Sequence, residues 1–262
     1  MIDLHCHILP GLDDGAADLE ESLQLASLSV QEGIHICVAT PHFYVGLFTP
    51  SMESVQKQVV SLNEHLKTHD IALKVLPGME VALTPQVLSH FDEGEFLGLN
   101  ATRYLLVEPS RLSTPDTIHK ACYQLLDRNI TPVLAHPERN PPLHKDPETL
   151  FHLVRKGVLL QINATSLDPS QSQEAYNCVR FLLQHRAVHC IASDAHSPEH
   201  RPPRLRLAME EACRILDSRE EAHALVSRNP EHIISGASFT TPEPIPPSPL
   251  EPRWKRFIPF IH

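Results

Sequence analysis

With 32 acidic side chains against 22 lysines and arginines, this 262-residue chain carries a formal net charge of −10, the wrong sign for a general nucleic-acid binder. No run approaches the roughly 20 apolar residues of a membrane span, and no basic-then-apolar leader precedes Ile2, so a cytoplasmic location is expected. The six cysteines form no C-x-x-C pair and several sit in apolar runs, as reduced buried thiols do, whereas 18 histidines call for an explanation.

The chain opens MIDLHCHILPGLDDG. In a strand over 2–5, alternation sets His5 and His7 on one face and turns Ile2, Leu4 and Cys6 to a core on the other. Asp14 follows in the loop, beside Asp13. A helical pattern over 18–33 leads to a second strand, 35–40, which runs through Thr-Pro into His42. After a helix over 51–69, the third strand, 73–81, carries Glu80. The fourth, 103–108, ends at Glu108. A helix over 114–128 precedes the fifth strand, 131–136, which ends at His136 with Arg139 one turn later. A helix over 146–156 and a sixth strand, 157–163, follow. The helix over 172–186 and the seventh strand, 188–193, then lead into Asp194 and His196. Helices over 203–217, 219–228 and 230–235 complete the pattern. His65, His69, His90, His119, His152, His223 and His232 fall in helical stretches and are expected to be solvated or capping groups.

Near-continuous apolar strands alternating with helices imply a parallel sheet covered on both faces, and seven such units favour a closed (β/α) barrel over an open sheet. In such a barrel the C-terminal strand ends share one mouth. There His5, His7, Asp14, His42, Glu80, Glu108, His136, Asp194 and His196 would converge. Nine imidazole and carboxylate groups exceed what one ion needs. They suit two or three divalent ions with a bridging carboxylate, and manganese, iron or zinc. The composition changes at 241: TPEPIPPSPLEP reads as an extended linker, followed by a basic, aromatic end containing Trp254, Lys255, Arg256 and Phe257. The expected division is therefore a barrel over 1–240 and a tail over 241–262, with the tail able to promote self-association or partner docking.

Taken together, DLHCHILPGLDDG, ATPHF, PGMEV, VEP, LAHPER and IASDAHS resemble the polymerase and histidinol phosphatase (PHP) superfamily. Within it they are similar to the manganese-dependent protein-tyrosine phosphatases of bacterial capsule and exopolysaccharide synthesis. The resemblance spans roughly residues 1–235. It implies an α/β fold, a distorted TIM-like (β/α)7 barrel, and a trinuclear site. His5, His7, Glu80 and Asp194 would hold one ion, bridging Glu80 with Glu108 and His136 a second, and Asp14, His42 and His196 a third, with Mn2+ the expected metal. Arg139 and Arg201 match the phosphate-binding arginines. The implied reaction is attack of a metal-activated hydroxide on a phosphotyrosyl phosphorus. The implied partner is the tyrosine-phosphorylated C-terminal tail of a bacterial tyrosine kinase. His200 stands where the family often has glycine. Phe43 and Tyr44 follow His42 where some members carry basic residues, and are expected to line the mouth and stack on a substrate ring.

A small-molecule phosphatase acting on histidinol phosphate, a non-catalytic PHP module and a metal-dependent exonuclease are the rival readings, the last disfavoured by the acidic charge balance. A cysteine-dependent mechanism is excluded by the sequence itself. Cys122 to Arg128 and Cys213 to Arg219 have C-x5-R spacing, but neither stretch contains the glycines of a phosphate-wrapping loop, and both follow helical patterns.

Overall fold

A computed structural model describes residues 1–84, 87–110, 113–145, 147–238 and 243–245. Among these residues nine strands appear, all paired in parallel: β1 (Ile2–Cys6), β2 (Ile36–Ala39), β3 (His42–Phe43), β4 (Lys74–Pro77), β5 (Glu80–Ala82), β6 (Tyr104–Glu108), β7 (Thr131–Ala135), β8 (Leu159–Asn163) and β9 (Cys190–Ala192). They form a three-stranded sheet, β1-β2-β4, and a six-stranded sheet, β3-β5-β6-β7-β8-β9.

Among the described residues nine strands stand where seven are expected, because a short extra strand, β3, follows the end of the second expected strand and the third, 73–81, is interrupted once. Pro41 has no N–H to give a ladder and separates β2 from β3. Gly78 separates β4 from β5 where the backbone crosses tightly: a Cβ there would lie 2.9 Å from Val38 Cγ1 and 3.3 Å from the Ala39 carbonyl oxygen. The strands therefore trace seven positions in chain order. The last returns to the first through a parallel bridge between Cys6 and Ala195 and a 2.8 Å hydrogen bond from the Asp194 N–H to the His5 carbonyl.

The eight expected helices form within about two residues of their expected windows, except that the 219–228 pattern stops at Ala224. Short polar side chains start several of them: Asp18, Ser51, Thr114, Ser172 and Ser218 each accept a hydrogen bond from the backbone N–H three residues on. Two short helices, Val87–Asp92 and Pro141–Lys145, lack a long enough apolar period to be foreseen. No helix among the described residues is long and apolar enough to cross a membrane.

Two buried apolar clusters result. The larger lies between the helices and the strands. The smaller fills the ring from within: Leu4, Leu106, Val133 and Leu159 pack there with Leu99, Ile233 and Ile234, which cover the N-terminal strand ends. The simple alternation expected for β1 does not hold. Ile2 and Leu4 belong to the inner cluster and Cys6 to the outer one, because a β-bulge between Asp3 and Cys6 inserts an extra residue into the register. The expected tail, 241–262, lies outside the described residues apart from 243–245, where the Ile245 N–H donates to the His185 carbonyl at 2.8 Å.

Candidate metal centre

All nine expected groups meet at the C-terminal strand ends, around Glu80. His5 Nε2 lies 3.1 Å from His7 Nε2, 3.2 Å from Glu80 Oε2 and 3.3 Å from Asp194 Oδ1. His7 Nε2 is 3.4 Å from the same Glu80 oxygen and 3.5 Å from Asp194 Oδ1. On one flank, His136 Nε2 is 3.1 Å from Glu80 Oε1 and 3.9 Å from Glu108. On the other, His42 turns Nδ1 to Glu80 Oε2 at 3.0 Å and Nε2 to Asp14 at 3.5 Å, and His196 Nε2 lies 3.6 Å from Asp14.

The other ring nitrogens decide what these contacts are. His5 Nδ1 donates to Gln161 Oε1 at 3.0 Å, His7 Nδ1 to Asp13 Oδ2 at 2.6 Å, and His196 Nδ1 to the Asp194 carbonyl at 2.9 Å. In the neutral rings each Nε2 then presents a lone pair. The Nε2 lone pairs of His5 and His7 thus face each other and two carboxylates across 3.1–3.5 Å, the spacing of donors each about 2.0–2.2 Å from one cation. Glu80 Oε2 is buried without a hydrogen bond although three imidazoles approach it. An orphaned carboxylate oxygen among lone pairs is costly unless a cation sits there, so the residues fit divalent metals.

The charges agree. Burial disfavours ionised Asp194 and Glu80, but His5 and the neighbouring donors outweigh it and hold both well below the usual carboxylate range. Burial likewise opposes charge on His5 and His7, yet the surrounding carboxylates raise both. Protons on these rings are one way to balance the buried anions; a divalent cation is the other, and it releases them. Burial and the neighbouring His7 push His196 down to about 2, leaving a neutral ring whose Nε2 lone pair faces the space beside Asp14.

Asp13 and Asp14, adjacent in sequence, take different positions. Asp13 stands behind the histidines, accepting from His7 Nδ1, the His42 N–H at 2.8 Å and the Gly15 N–H at 3.0 Å. Burial raises it but the His7 contact prevails and lowers it to about 2. Asp14 is exposed and faces His42 and His196. Arg139 Nη1 and Arg201 Nη2 both donate to Asp194 Oδ2, at 2.8 and 2.6 Å, and Asn163 Nδ2 adds a third bond at 2.7 Å. That leaves Oδ1 for His5 and His7. The arginines thus grip a candidate ligand as well as facing the mouth, where each is somewhat over a third exposed.

Sequence reasoning missed Gln161 and Asn163. Gln161 donates to Asn163 Oδ1 at 3.0 Å while orienting His5, so one pair on β8 steadies ligands from β1 and β9. The signal was present: two amides alternate with apolar residues at the mouth end of a buried strand. The expectation for Phe43 is corrected. It is 6% exposed and packs edge-on against Phe96 at 4.9 Å, because residue 43 takes the opposite face from His42. Tyr44 is exposed, and the ring that stacks on His42 is Phe48, 6.0 Å away and inclined by 14°. Cys122 and Cys213 lie in helices, and burial pushes the Cys122 thiol up to about 12, far from a reactive thiolate.

A parallel α/β ring with a carboxylate-and-imidazole mouth defines a barrel of the metal-dependent hydrolase kind. Consistent with this, a histidinol phosphate phosphatase from Lactococcus lactis, solved with zinc, L-histidinol and phosphate, shares the fold at TM-score 0.56 and 14% identity, over 84% of this chain and 93% of that one. A far stronger match, TM-score 0.85 at 33% identity over 95% of this chain and all of the other, comes from crystal structures of YwqE from Bacillus subtilis and CpsB from Streptococcus pneumoniae, described as unique metal-dependent tyrosine phosphatases. Residues 1–235 match the family model for capsular polysaccharide synthesis, CpsB/CapC, and the chain belongs to that family. The tyrosine-protein phosphatase YwqE of Bacillus subtilis is 33% identical over 97% of this chain and 98% of its own length. The tyrosine-protein phosphatase CpsB of Streptococcus agalactiae is 31% identical over 89% and 98%.

Proposed function

We propose that this chain is a metal-dependent protein-tyrosine phosphatase. The observation that carries the reading is the convergence of imidazoles and carboxylates on a buried, orphaned Glu80 oxygen beside two arginines. His5, His7, Glu80 and Asp194 would hold one divalent ion, Glu80 with Glu108 and His136 a second, and Asp14, His42 and His196 a third. Imidazole and carboxylate donors without thiolate suit manganese, iron or zinc, and the resemblance to the manganese-dependent phosphatases makes Mn2+ the ion proposed. Bound there, the ions supply Lewis-acid charge to phosphoryl oxygens and make water acidic enough to serve as a nucleophile near neutral pH.

The chain's own groups do the rest. Arg139 and Arg201 each spend one N–H on Asp194 and keep the remaining donors of the guanidinium for phosphoryl oxygens, in a fork suited to a phosphate. Because Asp194 anchors both, the same contacts that position the ligand aim the arginines, so the charge carried by the phosphoryl oxygens meets donors already in place. A phenolate leaving group, with a conjugate acid of pKa near 10, departs with little protonation. A dedicated general acid is therefore unnecessary for aryl phosphates. We infer a cytoplasmic enzyme whose substrate is the tyrosine-phosphorylated C-terminal tail of a bacterial tyrosine kinase controlling capsule or exopolysaccharide synthesis.

The test is kcat/KM on a phosphotyrosine peptide, a phosphoserine peptide and histidinol phosphate at one metal loading, with chelator and Mn2+ add-back. Preference for phosphotyrosine, lost on chelation and restored by Mn2+, is expected. Preference for histidinol phosphate would replace this reading with that of a small-molecule phosphatase.

A further inference from the structure

The segment leaving His42 has an organisation that metal binding does not require. After buried Phe43 the chain makes a tight turn: the Tyr44 N–H donates to the Phe48 carbonyl at 2.6 Å, and the Leu47 and Phe48 N–H groups both donate back to the Tyr44 carbonyl at 2.9 Å. Gly46, at φ +86°, supplies the left-handed residue that the reversal needs. The turn is thus fixed by its own backbone bonds and returns Phe48 onto the face of His42. It holds Tyr44, Val45 and Leu47 in solvent, at 41, 47 and 66% exposure, and these are three of the six large apolar side chains exposed among the described residues. Residues 43–52 contain no charge, in a chain whose net charge is −10. Solvent-exposed Val and Leu beside a charged site gain free energy only when something apolar covers them.

We propose that the Tyr44–Phe48 turn is the docking surface for the polypeptide flanking the phosphotyrosine, with apolar side chains next to the target tyrosine packing on Val45 and Leu47. This deepens, and rests on, the phosphatase reading. Two observations select this occupant. The turn is covalently continuous with His42 and stacked on it, so a chain lying on Val45 and Leu47 is within a few residues of a phosphate held at the mouth. A phosphopeptide is also anionic, and an uncharged rim lets it approach an acidic protein without added repulsion. Free phosphate or a small aryl phosphate has nothing to place there.

The experiment uses the Mn2+-loaded full chain and the double variant Val45→Ser/Leu47→Ser, whose side chains are exposed, so that folding is little disturbed. Two phosphotyrosine peptides are compared, one with leucine and valine beside the target tyrosine and one with serines there. Binding is measured by fluorescence anisotropy with non-hydrolysable phosphonate analogues, and turnover is referred to p-nitrophenyl phosphate. The wild type is expected to bind the apolar-flanked peptide about tenfold more tightly than the serine-flanked one, the variant to bind them equally, with the kinetic change in KM. Equal binding by the wild type, or an undiminished preference in the variant, overturns the proposal. A fall in solution mass in the variant with peptide preference intact assigns the surface to a second copy and likewise overturns it. Absence of p-nitrophenyl phosphate turnover by the wild type would instead sink the phosphatase reading, which the binding comparison does not depend on.

Discussion

The two ends of the strand ring are built from the same strands on opposite principles. At the N-terminal end, Leu106, Val133 and Leu159 close on Leu99, Ile233 and Ile234, and the region is held by removing apolar area from water. At the C-terminal end the same strands carry Glu108, His136 and Asn163, and burial there works against the charged groups it encloses. One end is stable because it is dry and apolar. The other is tolerated because its charges balance, and that balance changes with pH and metal.

Substitutions at the two ends should therefore separate stability from activity. Glu80 touches imidazoles from β1, β3 and the end of β7, so Glu80→Gln is expected to lower turnover by about a thousandfold or more, with metal content by elemental analysis falling in parallel. Full activity with full metal content would remove Glu80 from the centre. The next effect in size is that of pH. His5 and His7 have raised pKa values, so the metal must displace their protons, and affinity is expected to rise with pH by up to about 100-fold per unit as two protons are released. The metal-free protein should behave oppositely. The stability those protonated rings contribute is complete below the unfolded histidine pKa of about 6.5 and is lost as pH rises through their folded values. Calorimetric titration and thermal melts across pH check both signs; a flat metal affinity would show that the rings are neutral without it. The smallest effect on turnover belongs to the apolar end. Leu106→Ala should cost about 2–5 kcal/mol of stability in denaturant melts while leaving kcat of the folded, loaded enzyme unchanged.

Much of this contrast is legible in the sequence. Hydrophobic periodicity located seven strand positions and eight helices, and the residues just past each strand form the mouth because parallel strands deliver their C-terminal ends to one side. What escaped depends on single backbone events. The β1 bulge moves Cys6 to the other core, and a one-residue insertion leaves no mark in the alternating Ile-Asp-Leu-His-Cys pattern. Gly46 folds the chain back so that Phe48, not Phe43, meets His42, and the sequence alone shows only three aromatic rings in a row of six residues. Asp13 and Asp14 are chemically identical neighbours, separated only by which one accepts the His7 Nδ1 hydrogen bond and which one faces His42 and His196. Gln161 and Asn163 were passed over because amides carry no charge and so stand out less than carboxylates, although they hold His5 and Asp194 in place.

Two of the strand-end residues at the mouth, His136 and Asp194, adopt left-handed backbone conformations, with φ of +31° and +53°. Aspartate and histidine are among the few side-chain-bearing residues for which that region is enriched rather than rare, while β-branched residues avoid it. The side chain that donates electrons and the backbone that turns the corner therefore impose overlapping demands on one position. In evolutionary terms this narrows the neutral paths: a drifting residue 194 that keeps the corner is drawn to asparagine, which keeps the shape and discards the charge. A lineage that lost its metal would be expected to record the loss there first, as an intact barrel with an amide at its mouth.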